Sequence, residues 1–198
     1  MISATLSYFG MALSWLCLIV LARSAVQFHK TRKLKDIGVA GVLPFLNRVN
    51  IKGIKHLIDP MEEAFLRQAH SRKQFCDMQR DRILSASEYF RKMGNNAAVL
   101  QKIGYRTLGS RDDQQRAIAR ELIDAGVPVR IYAVTAVLVL RFWQTFRIHR
   151  LMLSAPSLAD LKDLVAELLC SYDHLKEVAS AMTMLKEPNA HDELLSNL

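Results

Sequence analysis

The sequence predicts an all-α protein, with an N-terminal single transmembrane helix followed by a cytoplasmic α-helical bundle of about four to five helices. Three observations lead there. The first 22 residues carry no charged side chain, and the next 13 carry five Lys or Arg. Beyond residue 50, apolar residues recur at three- and four-residue steps, the mark of helices buried along one face. No pair of alternating apolar runs reads as neighbouring strands. The expected organisation is a signal anchor at 1–27, a basic juxtamembrane segment at 28–56, a bundle at 57–186 and a short polar, mobile tail at 187–198.

Ile2 to Ala22 is a nearly unbroken apolar run. About 20 residues at ~1.5 Å each span a hydrocarbon core of ~30 Å. A cleaved signal peptide would place its positive charge before the apolar stretch, whereas here the charge follows it in the stop-transfer arrangement. The positive-inside rule then sets the N-terminus outside and the body in the cytoplasm. Arg23, Lys30, Arg32, Lys33 and Lys35 form a collar suited to an anionic leaflet. Gly10 and Ser14 make a small-xxx-small pair that can admit a second transmembrane helix, although lipid-facing filler is the commoner role of a single pair.

The formal charge of +8 belongs almost wholly to residues 23–56, where eight Lys and Arg face Asp36 alone. The remainder is close to neutral. A membrane surface accounts for this better than nucleic acid, because aromatic interleaving and zinc-finger spacing are both missing. Cys17, Cys76 and Cys170 are too scattered for a disulfide framework and are expected to be free thiols buried as small hydrophobes.

Ile37 to Leu46 is the least regular stretch, since two glycines and Pro44 weaken a helix while its apolarity resists exposure. Ile51, Ile54 and Ile58 keep helical spacing up to Asp59-Pro60-Met61-Glu62, where a cap, a first-turn proline and an acid at the third position start a new helix. A joint near Ser71 precedes one long helix from Arg72 to about Leu108. Its register (Ile83, Ala86, Phe90, Met93, Ala97, Leu100) continues through Gly94-Asn95-Asn96, which implies continuity with a kink. Gly109-Ser110 supplies a stop and the next cap, with Asp112 and Asp113 in the first turn.

The following helix reaches Gly126 and Pro128, where a kink or short break is expected. Ile131 to Leu140 then reads as the buried central helix of the bundle. Ten residues reach only ~15 Å, too short for a second span. The rival reading is a membrane-dipping helix over 131–146, with Tyr132, Trp143 and flanking arginines as interface anchors. Arg130, Arg141, Arg147 and Arg150 form only a loose grouping, because helical geometry sends Arg141 and Arg150 to nearly opposite sides. Ser157 caps the last helix. Leu158, Leu161, Val165, Leu168, Tyr172, Leu175, Ala179 and Met182 hold a/d positions, a helix-packing or partner face. Leu164, Leu169, Val178 and Leu185 widen that stripe, which favours packing inside a bundle over a homodimeric zipper.

No phosphate loop, dinucleotide fingerprint, HExxH, CxxC or nucleophile elbow occurs. Cys170 and His174 stand one turn apart, half of a metal site without its other half. No catalytic residue, cofactor or metal is expected. The residues lead to a membrane-anchored helical interaction protein, a scaffold, accessory subunit or assembly factor. Its expected partners are an anionic leaflet and a membrane-resident protein, with homo-oligomerisation open and no nucleic acid. The alternatives are a lipid-binding or membrane-remodelling protein that uses 131–146, and an enzyme with an unrecognised helical site.

Overall fold

In a computed structural model, residues 45–148, 157–186 and 191–197 are described, and every regular element among them is helical. In chain order these are α1 (Ile51–Leu57), α2 (Pro60–Ala69), α3 (Arg72–Thr107), α4 (Asp113–Ile148), a 3-10 turn (Leu158–Leu161), α5 (Lys162–Lys186) and α6 (His191–Asn197). Three long helices carry the core, and the short ones close its ends. The expected anchor, the collar from Arg23 to Lys35, Gly10 and Ser14 all lie outside the described residues.

The helix starts follow from local chemistry. The Asn50 side chain accepts the Gly53 N–H at 2.9 Å and caps α1. Asp59 accepts the Met61 N–H at 2.9 Å, and Pro60 occupies the first turn of α2, where no N–H is needed. Glu62 does not return to that cap as the spacing suggests; it lies 3.7 Å from His56. Ser71 opens α3 with a reciprocal capping box to Gln74. The cap of α4 falls on Asp112, which accepts the Gln114 N–H at 2.9 Å, while Ser110 accepts the Asp112 N–H just before it. Ser157 caps the last segment as expected, but the first turn it opens is 3-10.

α3 and α4 run antiparallel, each 36 residues and so ~54 Å long. Their contacts run backwards along α4 as α3 runs forwards. Gly104 meets Ala119 and Ile123, Gln101 meets Gly126, and Gly94 meets Ala133. α4 lies between α3 and α5, and each packs on it more extensively than on the other. Ala119, Gly126, Ala133 and Leu140 recur every seven residues on the inward side of α4, with Leu122, Val129 and Ala136 beside them, all buried. α4 runs through Pro128 without a break. The proline cannot bond the Asp124 carbonyl. In the same turn Gln101 Nε2 reaches across from α3 to the Ile123 carbonyl at 2.8 Å, and its Oε1 accepts from Arg130 at 3.0 Å.

Two expectations are corrected here. Ile131 to Leu140 is not buried throughout: Ala133, Ala136 and Leu140 are inside, while Ile131, Val134 and Leu138 face outward. Close approach to α3 leaves room only for small side chains at most inward positions, so the bulky ones point away. The tail also contains structure. His191–Asn197 forms α6, and Leu194 is buried, because one apolar residue on a short polar helix suffices to dock it against α5. The core also extends upstream of α2, through Leu46, Val49 and Ile54.

A Cβ on Gly104 would stand 2.8 Å from Ile123 Cγ1 and 2.9 Å from the Ala119 carbonyl oxygen. Gly104→Ala gains about 1 kcal/mol of helix propensity. It also forces a main-chain collision that no rotamer change relieves, at about 1–3 kcal/mol. The expected outcome is net loss, with a Tm lowered by about 2–8 °C on a circular dichroism melt of the full chain in mild detergent. A variant melting at or above the parent contradicts this packing.

Candidate functional site

The outward face of α4 carries a continuous row of exposed apolar side chains. Val127, Ile131, Val134 and Leu138 are 44, 58, 44 and 37 % exposed, followed by Phe142 at 43 %. Steps of four, three, four and four keep all five on one side of the helix, a stripe ~22 Å long. Exposed Asp124 and Arg141 flank it. Isolated exposed apolar residues are ordinary, but a contiguous row of this kind marks a contact surface. Asp113–Gln144 is the one helix among the described residues long and apolar enough to cross a membrane, and only 33 % of its most apolar stretch is buried.

Of the two uses open to the a/d face on α5, helix packing or a partner surface, the bundle takes the first. Leu158, Leu161, Val165, Leu168, Tyr172, Leu175, Ala179 and Met182 are all buried within the chain, so these residues pack helices and offer no free surface. Leu185, assigned to the same stripe, is 42 % exposed. Cys170 is exposed and Cys76 half-buried, so neither is the fully buried thiol expected from its residue type. Among the described residues no three His, Cys, Asp or Glu gather as a metal site, and Cys170 and His174 both face solvent.

Where the chain enters the bundle, Asn96 of α3 holds it. Its Oδ1 accepts the Asn47 backbone N–H at 2.8 Å, and its Nδ2 donates to the Asn47 carbonyl at 2.8 Å and to the Tyr172 hydroxyl at 2.8 Å. One fully buried amide thus pairs with both backbone groups of Asn47, as a residue of a neighbouring strand would, and links the 45–50 segment to both α3 and α5. Burial pushes the Tyr172 hydroxyl up to about 12, against a smaller opposing pull from Asn96.

A second buried polar junction joins α2 to the start of α3 and to the 3-10 turn. Glu63, only 4 % exposed, accepts from Gln79 Nε2 at 3.2 Å, from the Leu158 N–H at 3.1 Å and from Arg67 at 3.3 Å. Arg82 donates to the Leu57 carbonyl at 2.7 Å. None of these roles was anticipated. The available signal was that Gln79, Asn96 and Gln101 are amides on the apolar face of α3, where an unpaired polar group costs several kcal/mol.

Next to the Asn96 junction lies an open groove of about 680 Å³, lined by Arg48, Lys52, Tyr89, Lys92, Lys176 and Ser196 among others. Among the described residues its lining holds four cations and no carboxylate. Two of the four are already engaged, Lys92 with Glu88 at 3.0 Å and Lys176 with Asp173 at 2.9 Å. The hydrogen bond and charge of Lys92 hold the Glu88 carboxyl below its ordinary range. The net local charge is positive, suited to a phosphate-bearing surface.

Comparison with protein-family models, curated proteins and solved structures yields no match to this chain. Fold and surface therefore define its class: an all-helical bundle with an outward apolar stripe on its central helix.

Tyr172 is protonated in the fold to higher pH than when unfolded. Its contribution is fully present below pH 10 and is lost as pH rises towards 12. Urea midpoints between pH 8 and 11.5 should fall less for Tyr172→Phe than for the parent. Asn96→Ala, which orphans two Asn47 backbone groups at about 1–3 kcal/mol each and removes a donor from the Tyr172 hydroxyl, should be the more damaging change at pH 8. Equal alkaline slopes, or Asn96→Ala melting like the parent, would contradict the junction.

Proposed function

We propose that this chain is a membrane-anchored helical interaction protein, a scaffold or accessory subunit whose bundle sits at the cytoplasmic membrane face. The observation that carries the proposal is the exposed stripe of Val127, Ile131, Val134, Leu138 and Phe142. Narrow a/d-like spacing suits an apolar helix laid along it, the helix-in-groove mode of recognition. The N-terminal apolar run would hold the bundle at the bilayer. The collar from Arg23 to Lys35 would favour an anionic leaflet by its charge. Confinement to a surface raises the effective concentration of a membrane-resident partner.

The apolarity of Asp113–Gln144 favours a second reading, in which α4 touches lipid. Two neighbours oppose full insertion. α3 carries exposed Arg72, Lys73, Arg80, Asp81 and Arg91, and α5 carries exposed Lys162, Asp163, Glu167 and Glu177. Taking α4 into hydrocarbon would either drag these charges along or strip α4 from the helices that bury its inner face.

A photo-activated benzophenone side chain placed at Ile131 or Leu138 of the full chain, in native membranes, separates the two. A discrete protein adduct that Val134→Glu abolishes, with the Val134→Glu fold intact by circular dichroism, is the expected result. Adducts to lipid alone would move the function to membrane contact, and adducts to neither would overturn the role of the stripe.

A further inference from the structure

We infer that the occupant of the α4 stripe is the same stripe of a second copy of this chain, laid antiparallel across a dyad midway between Tyr132 and Ala133. This rests on the reading of the stripe as a protein-docking face and adds the identity and orientation of the partner.

The stripe is its own complement. Val127, Ile131, Val134 and Leu138 are spaced four, three and four apart, a palindrome about that midpoint. Three residues before Val127 stands exposed Asp124, and three residues after Leu138 stands exposed Arg141. The positions therefore continue an a/d register outward with an acid at one end and a base at the other. In an antiparallel pair, a positions layer against d positions. Ile131 then meets Val134 of the second copy, Val127 meets Leu138, and Asp124 meets Arg141, each contact made twice because the interface is isologous. The apolar layers are closed at both ends by opposite charges.

The parallel alternative fails on the same residues. Equal positions would face each other, setting Asp124 against Asp124 and Arg141 against Arg141. Like charges at the ends of an otherwise apolar seam select against that orientation. The surface thus discriminates direction as well as offering adhesion. Phe142, 43 % exposed beside Arg141, extends the apolar edge over the charged layer.

Size sets where the pairing occurs. From Asp124 to Arg141 the contact runs ~25 Å along one helix, short of the ~800 Å² per partner of a standard stable interface. Pairing should be weak between freely diffusing copies and strong between copies confined to one membrane. The test therefore belongs in membranes with the full chain.

In a background of Cys17→Ala, Cys76→Ala and Cys170→Ala, the chain with both Asp124→Cys and Arg141→Cys should form a disulfide dimer on mild oxidation in membranes. Each single substitution should not, because equal positions then stand ~25 Å apart. The two thiols of one copy are as far apart on one helix, so the bond must be intermolecular. Independently, Asp124→Arg or Arg141→Asp should lower energy transfer between copies labelled at the C-terminus, and the two together should restore it, which a folding defect cannot do. Dimers from the single-cysteine chains, or none from the double, would overturn the proposal. A benzophenone adduct at Ile131 to some other protein, with no dimer, would overturn the self-pairing alone; absence of any protein adduct would remove the docking face as well.

Discussion

The close approach of α3 and α4 is the constraint on which the rest of the molecule depends. Where Gly94 faces Ala133, Gly126 faces Gln101 and Gly104 faces Ala119, the two backbones leave no space for larger side chains. That seam fixes the antiparallel register and the rotation of α4 about its axis. Once the small residues at 119, 126, 133 and 136 turn inward, Val127, Ile131, Val134 and Leu138 have only the outside left. The exposed stripe is thus a consequence of tight packing on the other face. Dispersion gained along a close-packed seam compensates for bulky side chains left in contact with water.

The seam also explains why polar groups sit at its margins. Gln101 fills the space beside Gly126 and satisfies the Ile123 carbonyl in the turn where Pro128 withholds a donor. Asn96, on the same helix, binds the Asn47 N–H and carbonyl and the Tyr172 hydroxyl. Such buried amides are costly unless every bond is made, and each therefore specifies one arrangement of its neighbours. The Asn96 junction ties the segment arriving from the N-terminus to the middle of the bundle. Arg48 and Lys52, a few residues further on, are held beside Lys92 and Lys176 in one groove.

Legibility of the fold from sequence followed how local the deciding physics was. The caps at Asp59 and Ser157, the joint near Ser71 and the continuity of α3 across Gly94-Asn95-Asn96 rest on neighbours in the chain, and each was readable. The a/d series from Leu158 to Met182 was readable as well, because a single period spans the whole helix. The orientation of α4 was not. Ile131 to Leu140 is apolar on every side, so periodicity gives no inward face, and only the partner glycines of α3 decide it. Glu63, Gln79, Asn96 and Gln101 escaped because their bonds cross 16 to 95 residues of chain. The exposed row on α4 escaped for the same reason, whereas the clearest stripe in the sequence, on α5, is the one the bundle packs inside itself, as its width suggests.

The most direct test is whether α4 lies against α3 in the full chain. A Cβ on Gly94 would stand 3.2 Å from that of Ala133, close to the separation of about 3.5–4.5 Å that a disulfide bridges. With the native cysteines replaced, Gly94→Cys and Ala133→Cys introduced together into the full chain should form an intramolecular disulfide on mild oxidation, read as the loss of two alkylatable thiols without a dimer band. If both thiols remain free and react independently, α4 is not packed on α3 there, and the account of the seam and its outward stripe is wrong.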